Sequence, residues 1–248
     1  MARNGDNPAL VSAYGAYGIV QAPSFNPTSL AWLERGGVIA TCHVRGGGDF
    51  GEEWHRAGQK LNKPNTWRDL IACAEYLIEQ RYTRREKLAI IGGSAGGITV
   101  GRALTERADL FAAAIPIVGV MDMLRVEFTP NGPPNIPEFG SVKTEDGFRG
   151  LLAMSPLHHV QDGTRYPAVL LMHGVNDPRV EVWHSTKMAA RLQAASAGVP
   201  NANPVLLRLD YDAGHGIGST RNQRNAEIAD IYSFALWQFG EPGFVPNP

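Results

Sequence analysis

Six short apolar runs punctuate the chain, at residues 9–14, 37–44, 87–91, 112–118, 168–173 and 204–209. Each has strand length, and each is apolar throughout rather than alternating with polar positions. That pattern predicts strands buried on both faces, as in a parallel sheet. Between them lie segments of helical period. Residues 66–80 carry Leu70, Ile71, Ala74, Leu77 and Ile78 on one face, and 95–107, 182–197 and 226–239 read similarly. Alternating strands and helices predict one α/β domain over residues 1–248, a mostly parallel, doubly wound sheet with right-handed crossovers. Residues 130–148 are rich in Pro, Gly and Asn, and read as a long surface loop.

Composition narrows the functional classes. The hydrophobic fraction is 44% and the net charge −1, from 23 basic and 24 acidic residues. With no charge run, neither nucleic acid nor an anionic membrane surface is an expected partner. No apolar run reaches membrane-spanning length, and the first residues, Met-Ala-Arg-Asn-Gly-Asp-Asn-Pro, lack the apolar core of a signal peptide. The expected location is the cytoplasm. Cys42 and Cys73 are then expected as two buried, reduced thiols. No Cys/His cluster suggests a metal, and no cofactor is expected.

The strongest local signal is Gly92-Gly93-Ser94-Ala95-Gly96-Gly97. It contains G-x-S-x-G, follows the run ending at Ile91 and opens a helix, the context a nucleophile elbow requires. At this turn neither G-x-G-x-x-G nor a P-loop pattern is present, which weakens a phosphate-binding reading. A serine hydroxyl needs a base to remove its proton. In this kind of fold the partners follow in the order serine, acid, histidine. Asp177 lies just past the run 168–173, and His215 sits between Gly214 and Gly216 after the last run. Asp212 is the rival acid, but it stands only three positions before His215. His43, His173, His55, His184, His158 and His159 fall on strand ends or helical stretches, where structural roles are expected.

These motifs, with Tyr14-Gly15-Ala16-Tyr17, the stretch from Arg45 to His55, Gly119-Val120-Met121-Asp122 and Asn176-Asp177-Pro178-Arg179, resemble the catalytic domain of the prolyl oligopeptidase family of serine peptidases. The resemblance runs from about residue 8 to residue 240 and implies an α/β-hydrolase fold. It also implies Ser94, Asp177 and His215 as the catalytic triad. Tyr14 and the backbone N–H of Ala95 become the oxyanion hole, and Arg179 a holder of a substrate carbonyl. The glycine run after Arg45 becomes structural.

Two departures from the family pattern shape the expectations. The chain has no room for the family's β-propeller and begins near its third core strand. The sheet is therefore expected to be N-terminally truncated, leaving the strand at 9–14 with an unpaired edge and favouring a homodimer. The loop 125–139 lacks the family's substrate-stacking tryptophan, so its acyl pocket is expected to be merely apolar, lined by Phe128, Ile136 and Phe139. The main reading is a peptidase acting on small peptides. A carboxylesterase acting on short acyl esters is the alternative, and a non-catalytic binding remnant is a remote third.

Overall fold

A computed structural model describes residues 2–216 and 219–245. Ile217 and Gly218, at the end of the glycine-flanked histidine loop, lie outside the described residues. Six strands form one sheet: β1 (Ala9–Ser12), β2 (Val38–Thr41), β3 (Leu88–Gly93), β4 (Ala113–Ile117), β5 (Ala168–Gly174) and β6 (Val205–Asp210). All neighbouring pairs are parallel, in the order β2-β1-β3-β4-β5-β6. Each strand falls within a residue or two of an apolar run in the sequence.

The runs are continuously apolar because both faces are covered. Along β3, Leu88 and Ile90 enter one core while Ala89 enters the other. Along β5, Val169 and Leu171 face the first core, and Ala168, Leu170 and Met172 the second. Nine helices are described: α1 (Ser29–Leu33), α2 (Glu52–Arg56), α3 (Pro64–Glu79), α4 (Gly96–Glu106), α5 (Met123–Val126), α6 (Ile136–Phe139), α7 (Glu145–Met154), α8 (Trp183–Ser196) and α9 (Arg221–Gln238). Helices α3, α4 and α8 supply the first core, through residues such as Leu70, Ile98 and Leu192. Helix α9, with Trp32 of α1, supplies the second through Ile231 and Phe234, joined by Phe239 just past its end. None of these helices is long and apolar enough to cross a membrane.

Four expectations change. Residues 130–148 are not a plain loop: a 3₁₀ turn spans Pro133–Asn135, α6 follows, and α7 begins at Glu145. The prolines stand in first turns, where a missing N–H costs nothing, and Thr144 caps α7 by accepting from Gly147 N. Helix α9 starts five residues earlier than its apolar period suggests. Thr220 and Gln223 form a reciprocal capping box that carries it to Arg221. Strand β1 is not an edge: Ala9 pairs with Val38 on one side and Leu88 on the other, so the edge strand at this end of the sheet is β2, with β6 at the other end. Finally, Cys42 and Cys73 are not separate thiols. Their sulfurs are bonded at 2.17 Å, which ties the segment after β2 to α3.

The order of strands reverses beside β1, with β2 on one flank and β3 on the other. In open α/β sheets, the carboxyl ends of strands at such a switch point frame the ligand crevice. Tyr14 leaves β1 there and Ser94 leaves β3.

Candidate active site

Ser94 occupies a tight turn between β3 and α4 with φ +55°, a left-handed conformation that a serine rarely adopts. Its amide donates to Ile117 O of the neighbouring strand, and its carbonyl accepts from Gly97 N and Val120 N. The flanking glycines are sterically required. A Cβ on Gly92 would lie 2.7 Å from Gly96 O, and one on Gly97 would lie 2.5 Å from Gly119 Cα. The turn therefore closes only without side chains there, and it lifts Ser94 Oγ above the sheet.

Asp177 and His215 converge on that hydroxyl. His215 Nε2 is 3.0 Å from Ser94 Oγ, and Nδ1 is 2.6 Å from Asp177 Oδ2. A carboxylate only accepts, so Nδ1 carries the proton and Nε2 is free to accept from Ser94. Asp177 is buried, and its Oδ1 accepts from the amides of Arg179 and Val180 at 2.8 and 3.0 Å. Burial pushes its pKa up. The contacts with His173 and His215 and the two amides outweigh it, holding the carboxyl well below the usual range. The rival acid, Asp212, is exposed and binds Asp210 through its backbone instead.

His173 lies beneath Asp177. Its Nε2 sits 2.8 Å from Val180 O and 3.5 Å from Asp177 Oδ2, and its Nδ1 meets Ser185 Oγ at 2.7 Å. The Val180 carbonyl can only accept, so Nε2–H is the donor. This histidine holds the acid loop and does not face the crevice.

Tyr14 lines the crevice beside Ser94, and its carbonyl accepts from Thr99 Oγ1 of α4. Burial raises the phenol pKa, while Ser94 and Arg179 act in the opposite direction. The next residue, Gly15, has φ +75°, and a Cβ there would meet Thr66 Cγ2 at 2.3 Å. Its carbonyl accepts from Lys63 Nζ, a wholly buried ammonium whose pKa burial lowers to about 8 against the opposing charge of Glu138. The glycine run after Arg45 backs the same turn: a Cβ on Gly46 would strike Gly15 O at 2.2 Å, and one on Gly48 would strike Gly18 O at 2.1 Å. The Ala95 amide, at the mouth of α4, makes no hydrogen bond to a described residue.

On one side of Ser94 a cavity of about 300 Å³ is lined by Tyr17, Val126, Phe139, Arg179 and Val180, among others. Phe139 lines it. Phe128 does not: it is 64% exposed, on the outer side of the turn after α5. Ile136 also falls outside the lining. Tyr17, which sequence reasoning passed over, takes their place. Its ring packs edge-on against Phe139 at 5.5 Å, its hydroxyl donates to Asn135 Oδ1, and its amide donates to buried Glu138. Only the Tyr-Gly-Ala-Tyr stretch hinted at it.

The chain matches the prolyl oligopeptidase family over residues 23–242. It is 39% identical over 239 residues to a prolyl endopeptidase of Elizabethkingia meningoseptica, covering 96% of this chain and 34% of the relative. A prolyl endopeptidase of Dictyostelium discoideum is also 39% identical, over 93% of this chain and 30% of the relative. Among solved structures, one from a study of two prolyl endopeptidases superposes with TM-score 0.91 at 38% identity, covering 97% of this chain and 35% of that one. A post-proline cleaving enzyme of Rickettsia typhi superposes with TM-score 0.88 at 31% identity, over 97% of this chain and 34% of that one. The chain thus spans about a third of the length of the relatives it matches. With a family match over most of its residues and a fold shared along 97% of its length, this chain belongs to the prolyl oligopeptidase family of serine peptidases.

Proposed function

We propose that this chain hydrolyses peptide bonds on the carboxyl side of proline through an acyl-enzyme on Ser94. The observation that carries the reading is the unbroken relay from Asp177 through His215 to Ser94 Oγ. Ser94 attacks the acyl carbon as His215 Nε2 takes its proton, and the buried Asp177 carboxylate stabilises the imidazolium that forms. The oxyanion is met by the Tyr14 hydroxyl and the Ala95 amide. Each such donor contributes about 3–4 kcal/mol to the transition state. His215 then hands its proton to the leaving amine, and water repeats the sequence to free the acid. Arg179, exposed at the rim of the acyl cavity, holds a second substrate carbonyl.

Proline preference is supported by Tyr17 and Phe139, whose edge-to-face rings give the cavity an aromatic lining where the tryptophan of the loop is missing. The relatives' names point the same way. No feature of the cavity favours short esters. The Cys42–Cys73 bridge supports an oxidising compartment over the cytoplasm, because cytosolic thiols are kept reduced.

The test has two arms. A fluorophosphonate should label Ser94 and nothing else, and no labelling would discard the catalytic reading. Then kcat/KM for a blocked Gly-Pro amide should exceed that for the matching Gly-Ala amide by about a hundred-fold, the range a shaped apolar pocket achieves. Equal rates, or faster turnover of p-nitrophenyl acetate and butyrate with no amide cleavage, would replace the prolyl reading with the esterase one.

A further inference from the structure

A wholly buried lysine lies behind the active site and has no part in the relay. Lys63, the residue before α3, is shielded from solvent on every side, and such burial of a lysine is rare and costly. Its Nζ donates to the carbonyl of Gly15 and stands 5.4 Å from the centre of the Phe139 ring. The nitrogen carries hydrogens in either protonation state, so the donor is unambiguous. Glu138 of α6 is buried nearby. Its Oε1 accepts from the amide of Tyr17 at 2.9 Å, and its Oε2 accepts from Gln59 Nε2 and His55 Nε2, both at 2.8 Å. Lys63 thus takes a carbonyl, and Glu138 an amide, of one short turn, with buried Ala16 between them.

That turn begins at Tyr14. The Tyr14 ring lines open cavities at Ser94, and the ring of Tyr17 beside it is 6.4 Å away. With little packing on its crevice side, the direction of the phenol is set mainly by its backbone. Two successive carbonyls fix that backbone: Tyr14 O accepts from Thr99 Oγ1, and Gly15 O from Lys63. Gly15, at φ +75°, has the widest rotational freedom of any residue and most needs a fixed partner. A donor in a catalytic site must be held within about 0.5 Å and 10–20° of its productive position.

We propose that Lys63 is a positioning residue of the oxyanion hole: by holding Gly15 O, while Glu138 holds the far side of the turn, it aims the Tyr14 hydroxyl at the developing oxyanion. This rests on the reading of Tyr14 as an oxyanion donor. Lys63 lines none of the cavities at Ser94, so its effect reaches the reaction through Tyr14.

The experiment is a double-substitution cycle on Lys63 and Tyr14. The readout is kcat per Ser94 titrated with a fluorophosphonate, so unfolded protein is not counted. Lys63→Met fills the same space without a donor, and Lys63→Gln carries an amide too short to reach Gly15 O in place. Each should lower kcat for a blocked Gly-Pro amide by about 10- to 100-fold, a part of the loss expected for Tyr14→Phe, with KM little changed. In the Tyr14→Phe protein the same substitutions should change kcat by less than about two-fold, because the hydroxyl they misplace is already gone. An unchanged kcat in the single variants overturns the proposal. So does a loss repeated in full in Tyr14→Phe, which would make Lys63 a support of the fold at large. Tyr14→Phe without effect overturns the oxyanion reading, and this proposal with it. A wild type that cleaves p-nitrophenyl acetate but no amide overturns the peptidase reading alone, and the cycle is then read on the ester, whose acylation needs the same hole.

Discussion

At the scale of residues, each group of the site has a distinct expected loss. Ser94→Ala should lower kcat by on the order of a million-fold, since the members of such a relay act together. Retention of a tenth of the rate would remove Ser94 as nucleophile. Tyr14→Phe keeps the ring and removes the donor, so kcat should fall about 100- to 1,000-fold with KM little changed. Equal losses in KM alone would make Tyr14 a binding residue. His184 reports on stability instead. Burial lowers its pKa to about 3, and its Nδ1 accepts from the amides of Met121 and Asp122. Its folded value is depressed below the ordinary one of about 6.5. The unfolded chain therefore binds the extra proton between those values, and stability should fall as pH drops from about 6.5 towards 3, by a few kcal/mol at most. Urea midpoints across that range should slope less in His184→Gln, and an unchanged slope would assign the acid sensitivity elsewhere. The sequence made the three relay residues visible because their loops are glycine-flanked and follow apolar strands in a fixed order. It did not reveal Tyr17. Wall residues of a cavity are chosen by which loops meet in space, and Phe128, apolar and nearby in sequence, points outward.

At the scale of elements, strands were the most legible feature. A central parallel strand is apolar on both faces, so β3, β4 and β5 appear as unbroken runs. Helices α5 and α6, of four residues each, contain barely one turn and cannot show a period. The same segment's Pro and Gly content then imitates a loop. The strand order was also hidden: periodicity says which residues are buried, not which neighbours a strand has. The disulfide escaped for a related reason, since Cys42 and Cys73 stand 31 positions apart and meet only when α3 packs on the sheet. Closing a loop of that length is worth about 3–4 kcal/mol in the chain-entropy account. Reduction should therefore lower Tm by about 5–15 °C for a chain of this size. Thermal melts with and without reductant, beside Cys73→Ala, test this, and coincident melts would show that the bridge contributes no stability.

At the scale of the whole molecule, the unpaired edge at β2 is the main liability. Its Ile39 and Thr41 are exposed beside open backbone donors and acceptors, and such edges recruit another strand. The chain is expected to self-associate, most simply as a two-fold pair through β2. Sedimentation of a clean monomer at micromolar concentration would refute this, and Ile39→Lys should weaken the pair if it forms. A different consequence follows from the strand order beside β1. Tyr14, Ser94, Asp177 and His215 leave four different strands, and the first and last stand 201 positions apart, 14 to 215. No local segment holds two adjacent members of the relay. The site is assembled only when β1, β3, β5 and β6 are in register, and such non-local pairings form late. Reactivity towards a fluorophosphonate should thus be the last signal to return on refolding, well after helical circular dichroism has recovered. The hydroxyl of one serine becomes a reporter for completion of the entire sheet.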